Sequence, residues 1–155
     1  MSNYESEMMK KSLILAEFAY SIGEVPVGAV ITKDNKIIGE GFNSVISNNS
    51  PIFHAEINAI NMACRNIKNY RLNDCEMFIT LEPCHMCAKA IIDARIKSLY
   101  FGAHELKTGA IESIDQFLYK DHLNHKVLSS GGHLQEQSSD MLRKFFQSKR
   151  KKKIS

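Results

Sequence analysis

Met77-Phe78-Ile79-Thr80-Leu81-Glu82-Pro83-Cys84-His85-Met86-Cys87 is the stretch whose reading decides the fold. Met77 to Leu81 is apolar and β-branched enough for a strand, Pro83 is a helix-opening residue, and Cys84 to Ala94 reads as a helix with Ile91 and Ile92 among its inward positions. Ser98 to Phe101 is the next strand. Strand, helix and strand in that order form the repeating unit of α/β sheets. Upstream, Val25 to Ile31 is almost continuously apolar, as a strand covered on both faces would be. Asp34-Asn35 turns it into a second strand, Lys36 to Glu40, making a hairpin. After a loop rich in Asn and Ser, Pro51 precedes a helical pattern in which Ile57, Ile60, Cys64 and Ile67 recur every three or four residues. Ahead of the hairpin, Met9, Leu13, Ala16 and Tyr20 predict an amphipathic helix ending near Gly23. Downstream, residues 104–124 read as a loop with a short helix, followed by a short strand near Lys126 to Leu128. A final helix from about Leu134 carries Met141, Leu142, Phe145 and Phe146. The class expected is α/β, in three layers (α/β/α), with a mixed, mostly parallel five-stranded sheet opened by an antiparallel hairpin.

At 155 residues the chain fits one domain, expected over 1–148 with a basic tail at 149–155. Its hydrophobic share of 44% and charged share of 24% are those of an ordinary globule and select no function. Lys10 and Lys11 before Leu13-Ile14-Leu15-Ala16 imitate a signal peptide, but Glu17 ends the apolar run. Neither export nor a membrane span is expected, so the location expected is cytoplasmic. Thiols stay reduced there, and the four cysteines read as metal ligands or core residues before disulfides. Cys64 and Cys75 are expected to be plain buried thiols. The net charge is +3, yet Lys149-Arg150-Lys151-Lys152-Lys153 alone carries five positive charges and leaves the rest of the chain at −2. Such a block reads either as a solvated tail or as a phosphate contact.

His54-Ala55-Glu56 stands at the start of the second predicted helix, one supersecondary unit before Cys84 and Cys87. A structural zinc site closes its tetrahedron with four protein ligands, whereas a catalytic one supplies three and leaves a corner to water. His54, Cys84 and Cys87 supply three. Cys84 and Cys87, three apart in the first turn of a helix, can turn both sulfurs to one ion. Helix N-termini favour negative charge and keep thiols ionised. One Zn2+ per subunit held this way can bring the pKa of its water from 15.7 to about 7. Glu56 lies two residues from His54, a spacing that does not share a helix face, so its role is proton transfer and not ligation. A carboxylate in such surroundings is expected to have a raised pKa. His85, between the cysteines, points away from them and is expected beside the site or exposed.

His-x-Glu followed by Pro-Cys-x-x-Cys resembles the signature of zinc-dependent nucleobase deaminases. The likeness extends to the bacterial tRNA-specific adenosine deaminases through Glu24-Val25-Pro26-Val27-Gly28-Ala29-Val30, Gly39-Glu40-Gly41-Phe42-Asn43, Asn69-Tyr70-Arg71-Leu72, Phe101-Gly102-Ala103, Lys107-Thr108-Gly109-Ala110 and Asn124-His125. That resemblance implies a cytidine-deaminase-like fold, a homodimer, and conversion of the wobble adenosine of a tRNA anticodon stem-loop to inosine. It implies that His54, Cys84 and Cys87 hold zinc, that Glu56 shuttles protons and that Asn43 helps hold the adenine. On the residues alone Asn43 also reads as a turn former. Ala55 is grouped with the substrate contacts. Lys107, Arg150 and Phe145 are candidates for RNA contact, Phe145 being equally a core-facing position. Where the family carries Asp, this chain has Glu105, in His104-Glu105-Leu106. An anticodon loop suits the chemistry because its bases are already unpaired. Two other readings stand beside this one: deamination of a free base such as guanine or cytosine, and a zinc-containing RNA-binding module without catalysis.

Overall fold

A capping box starts the chain's first helix: the Ser2 hydroxyl accepts the Glu5 N–H at 3.1 Å while Glu5 Oε2 accepts the Ser2 N–H at 3.0 Å. In the computed structural model, which describes residues 2–154, this helix is α1 (Asn3–Ser21). It is followed by β1 (Gly28–Lys33), β2 (Lys36–Phe42), α2 (Ala55–Ile67), β3 (Cys75–Leu81), α3 (His85–Asp93) and β4 (Ser98–Ala103). A 3₁₀ turn at Phe117–Tyr119, β5 (Leu128–Ser130) and α4 (Gln135–Ile154) complete it. The strands form one sheet in the order β2-β1-β3-β4-β5. Asp34 and Asn35 both take positive φ, 51° and 63°, which matches the twist of a tight hairpin between β1 and β2.

The sheet is mixed, as expected, with β1 alone running against the other four strands. β1 runs antiparallel to both β2 and β3, while β3–β4 and β4–β5 are parallel. The connection through α2 explains this. It carries the chain past β1, so β3 runs with β2 and therefore against the strand lying between them.

Side chains alternate across the sheet with the strand period of two. Ala29, Ile31, Met77, Ile79, Leu99 and Phe101 join Ala55, Ala59, Ala63, Ile91 and Ile92 of α2 and α3 in one core. Val30 and Phe78 point the other way, onto Met8 and Met9 of α1. The inward face of α2 is thus made of alanines. Ile57, Ile60, Cys64 and Ile67, which the spacing predicts as the buried stripe, are only partly buried. Small residues win because α2 lies almost on the backbone of β2: a Cβ at Gly41 would sit 2.3 Å from the Ala55 carbonyl oxygen, and one at Gly39 would sit 2.5 Å from that of Ala59.

Several boundaries also differ, β2 running on to Phe42 and β4 to Ala103. Val25 to Val27 precedes β1 and does not belong to it; Val27 N–H bonds the Val25 carbonyl at 2.9 Å, a local turn that withdraws it from the ladder. β5 begins at Leu128, where pairing with Ser98 starts. The helix α4 continues unbroken across the boundary expected at 148/149, so the basic run forms its last turns. Cations are favoured at a helix C-terminus, and Lys149 Nζ also lies 5.3 Å from the centre of the Phe145 ring. Cys75 is buried and Cys64 half-buried. Among the described residues no helix is long and apolar enough to cross a membrane.

Candidate active site

The helices α2 and α3 both begin at the end of the sheet where β3 finishes, and the residues capping them are His54 and Cys84. Serine, aspartate or asparagine would cap a helix better, yet neither position makes a side-chain capping bond. Both side chains turn instead to one point. His54 Nδ1 lies 3.4 Å from Cys87 Sγ and 3.8 Å from Cys84 Sγ, and the three donor atoms all fall within 4.8 Å of one another. Among the described residues this is the sole cluster of three such groups. Ligands at bonding distance on a tetrahedral zinc are themselves about 3.5 Å apart, and two sulfurs with one imidazole are a donor set zinc accepts. The residues therefore fit the ion.

Glu56 stands in the first turn of α2 at 4% exposure and is not part of that cluster. Burial pushes its carboxyl up to about 7, opposed by its own backbone N–H and by His54. Cys84 is held down to about 3, first by a hydrogen bond from Cys87 and further by His54, in spite of burial. Cys87 is raised correspondingly, because it donates to the Cys84 sulfur and is buried. His54 is raised by its bond to Cys84.

His54, Ala55, Glu56, Cys84, Asn43 and Glu105 line one cleft, together with Val25, Val27, Leu81, Glu82 and Thr108. Two buried carboxylates pin the loops that form its rim. Glu24, 1% exposed, accepts the N–H groups of Ile46 and Ser47 at 3.0 and 2.6 Å, fixing the loop after Asn43. Glu82, 2% exposed, accepts from the N–H groups of Glu105, Ile111, Glu112 and Ser113 at 2.7–3.1 Å and from the Ser113 hydroxyl. Burial alone would raise the Glu82 pKa, but these donors hold it below the usual carboxylate range. Gly109 makes room for that carboxylate, since a Cβ there would meet Glu82 Cδ at 2.4 Å. Glu105 Oε1 accepts the Lys107 N–H at 3.0 Å, so the longer acid folds back onto its own loop. His85 faces away from the sulfurs, 2.8 Å from Asp115 and edge-on to Phe117.

Lys107 and Arg150 do not reach the cleft. They line a neighbouring groove with His104, Leu106, Phe146 and Lys149, and Glu105 belongs to both. Phe145, a candidate for RNA contact in the sequence, is 4% exposed and packs edge-on against Tyr20. Phe146 is the exposed ring, at 46%. The helical spacing of Ser138, Leu142 and Phe145 marks the inward side of α4 and could have separated the two. Val25, Val27, Leu81, Glu82 and Thr108 are the lining residues that reading for chemistry passed over. The valines are apolar because they wall the cleft.

Residues 3–150 match the MafB19-like deaminase family. The tRNA-specific adenosine deaminase of Haemophilus influenzae is 46% identical over 153 residues, 98% of this chain and 88% of that protein. A solved structure from studies of A-to-I editing by tRNA deaminases at the wobble position of transfer RNA superposes with a TM-score of 0.85 at 38% identity, covering 88% of this chain and 99% of that one. The guanine deaminase of Bacillus subtilis is similar over 97% of this chain and 95% of its own, with a TM-score of 0.64 and 33% identity.

Proposed function

The chain belongs to the deaminase family, among the tRNA-specific adenosine deaminases, and from that premise we propose how its residues convert a wobble adenosine to inosine. The reaction is a hydrolysis: a water oxygen bonds to C6, the bond from C6 to the amine breaks, and ammonia leaves. The single observation that carries the reading is the convergence of His54, Cys84 and Cys87 beside a buried, unligated Glu56. These three residues would hold one zinc ion. Bound there, zinc supplies a water acidified to a pKa of about 7.

The protein's own groups do the rest. Glu56, poised at about 7 by burial, can take a proton from the attacking water and return it at the same pH. It passes that proton to the ring nitrogen beside C6, then takes the second proton from the hydroxyl newly bonded to C6 and delivers it to the amine, which leaves as ammonia while C6 becomes a carbonyl. Asn43 presents an amide that both donates and accepts, matching a purine edge. Ala55, Val25, Val27 and Leu81 exclude water around the base. Outside the cleft, Lys107, Lys149 and Arg150 meet phosphates, and the exposed Phe146 ring offers a stacking face in the place proposed from sequence for Phe145.

That cationic, aromatic groove favours tRNA over a free base, which would leave it unused. Incubation with transcribed tRNA should yield inosine at the wobble position. Turnover of free guanine or cytosine with no inosine in tRNA would overturn the reading, and RNA binding without any turnover would leave a module lacking catalysis. A homodimer in the cytoplasm completes the proposal, and sedimentation at working concentration tests the dimer.

A further inference from the structure

We propose that Asn58 is a positioning residue that ties the chain on both sides of Asn43 to the helix carrying His54 and Glu56; this rests on the reading of Asn43 as the group facing the base. Asn58 lies in the first turn of α2, its N–H bonded to the His54 carbonyl at 3.1 Å. From there its side-chain Nδ2 donates to the Phe42 carbonyl at 2.8 Å and to the Ser44 hydroxyl oxygen at 2.9 Å, with the Phe53 carbonyl at 3.5 Å. Carbonyls only accept, so only the amine end of the amide can face them, and its orientation follows from chemistry. One side chain therefore holds the residue before Asn43 and the residue after it.

The Asn43 amide itself is not held by any side chain among the described residues. Its direction is set by the backbone of residues 42–44. That backbone is anchored to the sheet by the Asn43 N–H on the Val27 carbonyl at 3.1 Å, and to the loop before α2 by the Ser44 N–H on the Phe53 carbonyl at 3.0 Å. Asn48 adds a bond from its Nδ2 to Ser44 Oγ at 2.8 Å. Among these ties, the one from Asn58 links the base-facing amide directly to α2, and so to a metal ligand and the proton carrier. A shift of about 1 Å between such groups can lower a rate a hundredfold.

A double-mutant cycle on the zinc-loaded full chain, with a tRNA anticodon stem-loop as substrate, distinguishes positioning from support of the fold. Asn43→Ala and Asn58→Ala should each lower kcat/KM by about tenfold to a hundredfold with zinc content unchanged. The double variant should be no worse than Asn43→Ala, while the fall in melting temperature caused by Asn58→Ala persists in both backgrounds. Asn58→Asp, of nearly the same shape but unable to donate, should be as impaired as Asn58→Ala. If Asn58→Ala does not fold, Ser44→Ala removes one of the two anchor points and should give a smaller loss that likewise vanishes beside Asn43→Ala. Full activity of the Asn58 variants, or losses that multiply in the double variant, overturns the proposal while leaving Asn43 in its role. Full activity of Asn43→Ala removes the reading of Asn43 and the proposal with it.

Discussion

Glu56 shows what one residue can do when its surroundings are chosen for it. Sealed from water, its carboxyl titrates near 7, and the sign of the effect is testable. A folded-state pKa raised above the unfolded value favours the folded state at low pH and loses that advantage as pH rises through the folded pKa. In zinc-stripped protein, Glu56→Gln should therefore melt like the wild type below about pH 4.5 and become the more stable of the two through pH 7, by on the order of 3 kcal/mol. In the zinc-loaded enzyme the same change should keep zinc and RNA binding and lower kcat by about a hundredfold or more. A variant with full turnover would remove Glu56 from the mechanism. Residues of this kind were legible in the sequence because metal and proton chemistry admit few side chains at few spacings. Phe145 and Phe146 were not separable by type, only by helical phase. Asn58 was invisible, since an asparagine on an amphipathic helix carries no motif and its partners lie across a loop.

Helices and strands were legible in kind and order, and less so in which face they bury. The alternation of strand and helix around Pro83 predicts β3, α3 and β4 closely, because that unit is specified locally. The contact of α2 with β2 depends on two glycines and three alanines brought together from separate segments, and no periodicity within either segment reveals it. The direction of β3 relative to β1 likewise follows from how the chain crosses the sheet. The close approach has a consequence. Gly41→Ala should cost about 1–3 kcal/mol through overpacking. It should also lower turnover by more than that loss of stability explains, because the carbonyl it strikes belongs to Ala55, between His54 and Glu56. Thermal melting and kcat measured on the same sample check both parts.

At the scale of the whole molecule, charge is concentrated where the fold ends. The last turns of α4 bring Lys149 and Arg150 beside the loop bearing Lys107. Truncation after Ser148 should weaken tRNA binding and flatten its salt dependence by about 0.7 in log–log slope for each phosphate no longer neutralised. Turnover at saturating tRNA should hold, and binding titrations at several salt concentrations will show whether the slope moves. That this run is helical could not be read from its composition, which suits a solvated tail as well as a helix end. Chelation is the complementary test: removing zinc should abolish activity and lower the melting temperature. His54 and Cys84 are 30 residues apart in the chain, yet both donate to one point. An ion gripping them acts as a reversible staple across that interval, absent from the denatured chain and reset whenever the metal returns. The protein's resistance to heat and proteases should consequently track the free zinc around it, so that scarcity silences editing and marks the molecule for turnover in a single event.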